Sequence, residues 1–278
     1  MGAFLLTDRL AVLFVPGDRP ERFAKALAAG ADGVIVDLED AVAQDQKAAA
    51  RAKIAAGWPA EGRLLLRINA RATPFQADDL ALARTLRLAG IVLPKAEQPA
   101  DIAVVRADLP DVPVIALIES ALGLANARAL AATDGVARLA FGSIDYCADL
   151  GSAHTREALL MARSELVLAS RLAGLAGPVD GVTTAVADAA LAQDDAAYAA
   201  QLGFNGKLCI HPNQVAPVLQ GFAPSADEVA WAGRILAAMA AGAGALQVDG
   251  AMVDAPVRAR AESILRRANS VNEVSHGQ

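Results

Sequence analysis

Short apolar runs alternate along the chain with longer Ala/Leu-rich stretches of helical spacing. The runs are Ala11–Val15, Gly33–Leu38, Arg63–Ile68, Gly90–Leu93, Val112–Ile118, Ala137–Phe141, Val179–Val182 and Lys207–Ile210. Each is continuously apolar rather than alternating, the mark of a parallel strand buried on both faces. Helical segments lie between them, among them Glu21–Ala29, Gln46–Ala56, Gln76–Leu88, Thr155–Leu172 and Asp188–Leu202. Eight successive strand–helix units predict an α/β fold, a (β/α)8 TIM barrel over residues 1–222. An open doubly wound sheet is the alternative, but no G-x-G-x-x-G fingerprint follows the first strand. Beyond Phe222 the character changes. Ala226–Ala241 reads as one long helix, Gly242 and Gly244 break it, and Val248–Val253 reads as a short extended piece. Pro256 opens a last helix to about Ala268. Residues 223–278 thus form a C-terminal helical extension, either a cap or an arm to a neighbouring subunit.

Length and composition narrow this picture. The 278 residues suit one barrel, and 55% apolar content leaves no shortage of core. A net charge of −6 with no basic face argues against nucleic acid. No stretch reaches the length of a membrane span, and Met1–Arg9 lacks a basic leader, so the expectation is a cytoplasmic protein. Cys147 and Cys209 read as small buried hydrophobes rather than a disulfide pair.

The polar residues fall at strand ends, where barrel chemistry is sited. The candidates are Asp18 and Arg19 after strand one, Asp37, Glu39 and Asp40 after strand two, and Arg67 and Asn69 after strand three. Lys95 and Glu97 follow strand four, Glu119 strand five, Asp145 strand six and His211 strand eight. Asp18, Asp40 and Asp45 have a plain alternative as turn or cap residues. Glu119 follows a wholly apolar run, so its carboxylate should lie at the barrel mouth and require a cation. With Asp145 on the next strand it offers the two-carboxylate set that suits Mg²⁺. No Cys/His spacing suits zinc. Arg67 should aim its fork at the same mouth, to grip a carboxylate or to pair with Asp37, Glu39 or Asp40. Lys95 raises a Schiff-base alternative, which nearby acids disfavour by keeping it charged. His154 and His276 read as surface residues, and His211 as packing more than chemistry.

The segments FVPGDRPERFAKALAAGADGVIVDLEDAV, LLRIN, GIVLPKAE, VIALIESALGLANA, FGSIDYCADLG, GFNGKLCIHPNQV and GAMVDAP resemble the citrate lyase β-subunit-like branch of the HpcH/HpaI aldolase family, with its malyl-CoA and citramalyl-CoA lyase relatives. That resemblance implies a Mg²⁺-dependent carbon–carbon lyase. Its substrate is a 3-hydroxyacyl-CoA thioester of citryl, citramalyl or malyl type, cleaved to a 2-keto acid and an acyl-CoA. It implies Glu119 and Asp145 as metal ligands and Arg67 as the substrate-carboxylate contact. Asp254 is then the proton donor, reaching a neighbouring subunit's site in a trimer or hexamer. Glu39, a candidate catalytic residue, and Asp40 are candidates to accept the hydroxyl proton or to bind metal-bound water, with Asp37 and Asp40 as substrate contacts. Arg19 and Lys207 are candidates for the CoA phosphates. Alternatives are a citrate lyase subunit acting on an acyl-carrier-protein thioester, a hydroxyacyl-CoA thioesterase, and a binding protein without turnover.

Overall fold

The computed structural model describes residues 10–241, 246–249 and 251–275. The readings of Met1–Arg9, of Gly242 and Gly244 and of His276 lie outside them. Eight parallel strands close into a barrel in chain order: β1 (Leu10–Pro16), β2 (Gly33–Asp37), β3 (Leu64–Arg67), β4 (Gly90–Leu93), β5 (Val114–Ile118), β6 (Val136–Phe141), β7 (Val179–Asp180) and β8 (Gly206–Cys209). β1 meets β8 through the register Leu10↔Gly206 to Leu13↔Cys209, which settles closure against the open sheet. β7 is half the expected length, touching β6 through the single register pair Ala140↔Val179.

Side-chain parity decides what faces where. Leu10, Val12, Ile35, Leu65, Val92, Ile115, Leu117, Val179 and Leu208 form one buried cluster inside the barrel. The residues between them, such as Val34, Leu64, Leu66, Val114 and Ala116, are buried too, on the face the helices cover. Continuing the inward parity reaches the mouth at Asp37 and Arg67, the last residues of β2 and β3, and at Glu119 and Ile210, one step past β5 and β8. The residues at the C-terminal rim are therefore selected by strand alternation.

The same parity corrects one expectation. Leu208 faces inward, so Lys207 faces the helix layer, where it is 1% exposed. Its Nζ donates to the Gly181 carbonyl at 2.6 Å and lies 3.4 Å from the Asp180 carboxylate, which also takes Arg163 at 2.9 Å. Lys207 is neither a surface charge nor a phosphate contact.

Local caps explain several helix starts. Ser120, Thr155 and Asp188 accept from the backbone N–H three residues on, and Gln98 with Asp101 forms a capping box. Asp18 caps nothing; its carboxylate lies 3.9 Å from Arg19. Cys147 and Cys209 are free and buried, and burial pushes the Cys209 thiol up to about 12, leaving it inert.

A second compact unit begins at Phe222. Its helices Ala226–Ala241 and Ala255–Ser275 pack through Ala232, Ile235, Val253, Ala261 and Ile264. The single extended piece expected around Val248–Val253 is an antiparallel hairpin, β9 (Leu246–Val248) with β10 (Ala251–Val253). Asp249 stands in its turn with φ of 52°. No helix among the described residues is long and apolar enough to cross a membrane.

Candidate active site

A cavity of about 410 Å³ opens at the C-terminal ends of the barrel strands. Phe14, Leu117, Phe141, Val182, Leu208 and Ile210 give it apolar walls, and Asp37, Asp40, Arg67, Glu119 and Asp145 are its charged residues. Glu119, 3% exposed, sits on the inward parity of β5. A Cβ at residue 142 would lie 2.4 Å from both Glu119 Cβ and Oε2, so glycine there leaves room for the carboxylate. Asp145 lies in the first turn of the helix Ser143–Leu150, half-buried on the cavity wall.

Lys95 ties the opposite side together. Its backbone stands at φ 46°, a left-handed conformation that costs a lysine roughly 1–2 kcal/mol. There its N–H donates to Glu119 Oε1 at 2.8 Å, and its Nζ donates to Glu39 Oε1 at 2.7 Å. Burial works against the Lys95 ammonium, but the Glu39 hydrogen bond and the charges of Glu39, Glu119 and Asp40 prevail and raise its pKa. A lysine held charged is a poor Schiff-base nucleophile. Its grip on Glu119 through the backbone left no sequence signal, because a left-handed lysine is not written in residue type.

Arg67 reaches the cavity, but two of its donors are engaged. Nε and Nη2 each donate to the Asp37 carboxylate at 2.7 Å, and the guanidinium lies over the Phe14 ring. The Asp37 oxygens also accept from the backbone N–H groups of Glu39 and Ala41. The internal ion pair is thus the reading that holds: Asp37 anchors Arg67 and its own loop, and the fork is not open for a bidentate grip. Nη1 is the donor left, 3.0 Å from Glu39 Oε2 and 3.5 Å from Asp40 Oδ2. The first approach is an ion pair off the hydrogen-bonding direction, since Glu39 Oε2 makes no hydrogen bond. Glu39 is 7% exposed and lies behind the cavity wall, between Arg67 and Lys95, while Asp40 lines the cavity. Of these two carboxylates, Asp40 rather than Glu39 is the one open to the cavity.

Five carboxylates (Asp37, Glu39, Asp40, Glu119, Asp145) face two cations here. Burial, then the Glu39 charge and to a smaller extent Asp145, push Glu119 up to about 8 against the pull of Lys95. Burial likewise raises Glu39. A buried acid disfavoured as an anion by its neighbours is what a divalent cation stabilises, so the residues fit Mg²⁺ held by Glu119 and Asp145. Among the described residues no cluster of three His, Cys, Asp or Glu offers an all-protein cage. Mg²⁺ does not need one, because it keeps waters and substrate oxygens.

A pH dependence follows. In the unfolded chain Glu119 titrates near 4.5, so between there and about 8 the folded metal-free protein binds more protons. Its stability then falls as pH rises through that window. EDTA-treated protein should melt at lower temperature at about pH 8.5 than at about pH 6, and saturating Mg²⁺ should remove most of the difference. Melting temperatures that match at both pH values without metal would remove Glu119 as a strained acid.

A second cleft of about 350 Å³ adjoins the first and shares Phe14, Val15, Pro16 and Ile210 with it. Arg22, Lys25, His211 and Asn213 line its outer part. His211 accepts the Asn213 N–H through Nδ1, a turn-closing role. Arg19 is not among the lining residues. His154 is on the surface as expected, with Nε2 2.9 Å from Ser143 Oγ. Burial, then Arg163 and Lys207, lower its pKa. Asp254 belongs to the second unit, exposed at the start of the last helix, where Oδ1 accepts the Val257 N–H at 3.2 Å.

Known proteins match along almost the whole chain. A protein of Mycobacterium tuberculosis named citrate lyase subunit beta-like protein is 41% identical over 263 residues, covering 92% of this chain and 94% of its own. A (3S)-malyl-CoA thioesterase of Cereibacter sphaeroides is 32% identical over 270 residues, covering 94% of each. The solved M. tuberculosis CitE in complex with magnesium, acetoacetate and coenzyme A superposes with a TM-score of 0.86 at 39% identity, over 94% of this chain and 98% of that one. The family model described as HpcH/HpaI aldolase/citrate lyase matches residues 10–212, which takes in the entire barrel and its rim, and the chain belongs to that family.

Proposed function

We propose that this protein is a Mg²⁺-dependent lyase that cleaves a 3-hydroxyacyl-CoA thioester into a 2-keto acid and an acyl-CoA. The observation that carries the reading is the buried Glu119 with the half-buried Asp145, lining one cavity with Arg67 and Asp40 at the mouth of an apolar barrel. The M. tuberculosis relative crystallised with magnesium, acetoacetate and coenzyme A supports the ligand classes. Mg²⁺, when bound, supplies Lewis acidity and a template for the oxygens of the keto-acid half. Arg67 Nη1 meets the carboxylate beside the reacting carbon, displacing Asp40 from that donor. Asp40 then takes the proton of the C3 hydroxyl. As that oxygen becomes a carbonyl, the C–C bond breaks and its electron pair passes to the thioester enolate. Asp254 of a neighbouring subunit gives its proton to the enolate carbon, completing a retro-Claisen cleavage. We infer with it a cytoplasmic homo-oligomer, a trimer or hexamer, whose second unit serves the next copy. The thioester arm runs along the adjoining cleft, with Arg22 and Lys25 at its phosphates in place of Arg19 and Lys207.

The cavity's charge also ranks the substrates. Among the described residues lining it, Arg67 is the one cation, and Asp37, Glu39 and Asp40 already surround it. A citryl group puts a carboxymethyl arm on the reacting carbon, a second carboxylate that no further cation among the described residues lining the cavity meets, whereas hydrogen or methyl suits the apolar wall. Unpaired burial of that charge should lower kcat/KM for citryl-CoA at least ~100-fold below malyl- or citramalyl-CoA. Keto-acid release from the three thioesters, measured together with free CoA, tests both points. Equal turnover of citryl-CoA contradicts the ranking. Free CoA without keto acid favours the thioesterase reading, consistent with the C. sphaeroides relative.

A further inference from the structure

Glu39 joins the two halves of the site, touching Arg67 through one oxygen and the Lys95 ammonium through the other. Lys95 in turn holds Glu119 through its backbone N–H. What fixes Glu39 is a buried lysine that the proposed reaction does not use. Lys47, 5% exposed, begins the helix Lys47–Gly57 and donates to the carbonyls of Leu38 and Glu39, both at 2.7 Å. Asn69 Nδ2 adds a second donor on the Leu38 carbonyl at 3.1 Å and is itself bound to Asp79. The Glu39 N–H is bound to Asp37. Glu39 is thus held at its N–H, its carbonyl and its carboxylate. Burying an ammonium is costly, and burial indeed lowers the Lys47 pKa against the pull of Asp37, Asp79, Glu39 and Asp40. An apolar side chain would fill the space without that cost but would leave the Leu38 carbonyl to Asn69 alone and the Glu39 carbonyl to the Val42 N–H alone, at 3.2 Å.

We propose that Lys47 is a positioning residue for the site: by locking the Leu38–Glu39 backbone it holds the Glu39 carboxylate where it orients both Arg67 and Lys95, and through Lys95 the metal ligand Glu119. The idea rests on the lyase reading for its kinetic readout and on the Glu119 metal site for its binding readout. The test is a double-mutant cycle of Lys47→Met and Glu39→Gln, read by kcat/KM for keto-acid release and, separately, by Mg²⁺ titration calorimetry. Supporting side chains behind a metal site are worth about 10–100-fold, so each single variant should lose that much in kcat/KM. Mg²⁺ affinity should weaken about tenfold in each. The double variant should fall within about twofold of the worse single, because Lys47 acts through Glu39. Single variants within twofold of wild type in both readouts, or losses that multiply, overturn the proposal. If Lys47→Met does not fold, Lys47→Arg keeps a cation able to reach the carbonyls, and the same cycle is run on it. A wild type that releases no keto acid sinks the lyase reading instead, and the Mg²⁺ cycle still decides the role of Lys47.

Discussion

Glu119→Gln should leave a folded barrel that no longer titrates with Mg²⁺ and has lost at least about 10³-fold in kcat, the scale of a Lewis-acid contribution of several kcal/mol. The glutamine keeps an oxygen to accept the Lys95 N–H, so the left-handed turn at Lys95 retains its partner and the loss is one of charge. It also relieves the burden of a carboxylate buried beside Glu39 and Asp145, so the metal-free variant should melt no lower than metal-free wild type above about pH 8. Loss of activity without loss of apo stability is a signature that misfolding cannot imitate. Retained Mg²⁺ affinity would show that the ion sits elsewhere.

Asp254→Asn should lose about 10²–10⁴-fold in kcat, the contribution of one general acid, with Mg²⁺ affinity unchanged. Asparagine is the variant to choose because Asp254 accepts the Val257 N–H at the start of the last helix, a capping bond asparagine preserves. Alanine would add a cost of about 1 kcal/mol in helix stability and confuse the two effects. Donation to a neighbouring copy makes a sharper prediction. Inactive Asp254→Asn and inactive Glu119→Gln, mixed under conditions that exchange subunits, should regain activity. A site there can take Asp254 from one copy and Glu119 from the other. No recovery from subunits shown to have exchanged would place the proton donor on the same chain as the metal ligands, or remove Asp254 from the reaction.

Most of the barrel was legible in the sequence. Eight apolar runs lie where the strands are, because a strand buried on both faces must be apolar throughout, and composition records that directly. The helix Ala226–Ala241 was read to the residue, since glycines follow it. The rim residues were legible as a set for the same reason: a charge ending an apolar run has few places to go but the mouth. What each charge does there was less visible. Lys207 was misread although its parity against Leu208 carried the answer; a lysine at a strand start looked like surface until its partner Asp180 on the next strand was known. For Arg67 the sequence left two readings, a fork gripping a carboxylate or a pair with Asp37, Glu39 or Asp40, because nothing in LLRIN reveals that Asp37, thirty residues earlier, lies beside it in register. Lys47 gave no signal at all. Its role depends on two backbone carbonyls brought to it by the turn of the chain, and carbonyls have no letter in a sequence.

The most direct measurement is keto-acid release from malyl- and citramalyl-CoA, with Mg²⁺ and again after EDTA. A metal-dependent lyase at Glu119 and Asp145 forms the keto acid and the shortened acyl-CoA in equal amounts, stops in EDTA, and resumes when Mg²⁺ is returned. Keto acid formed at the same rate in EDTA, or none formed from either thioester with Mg²⁺ present, would contradict it.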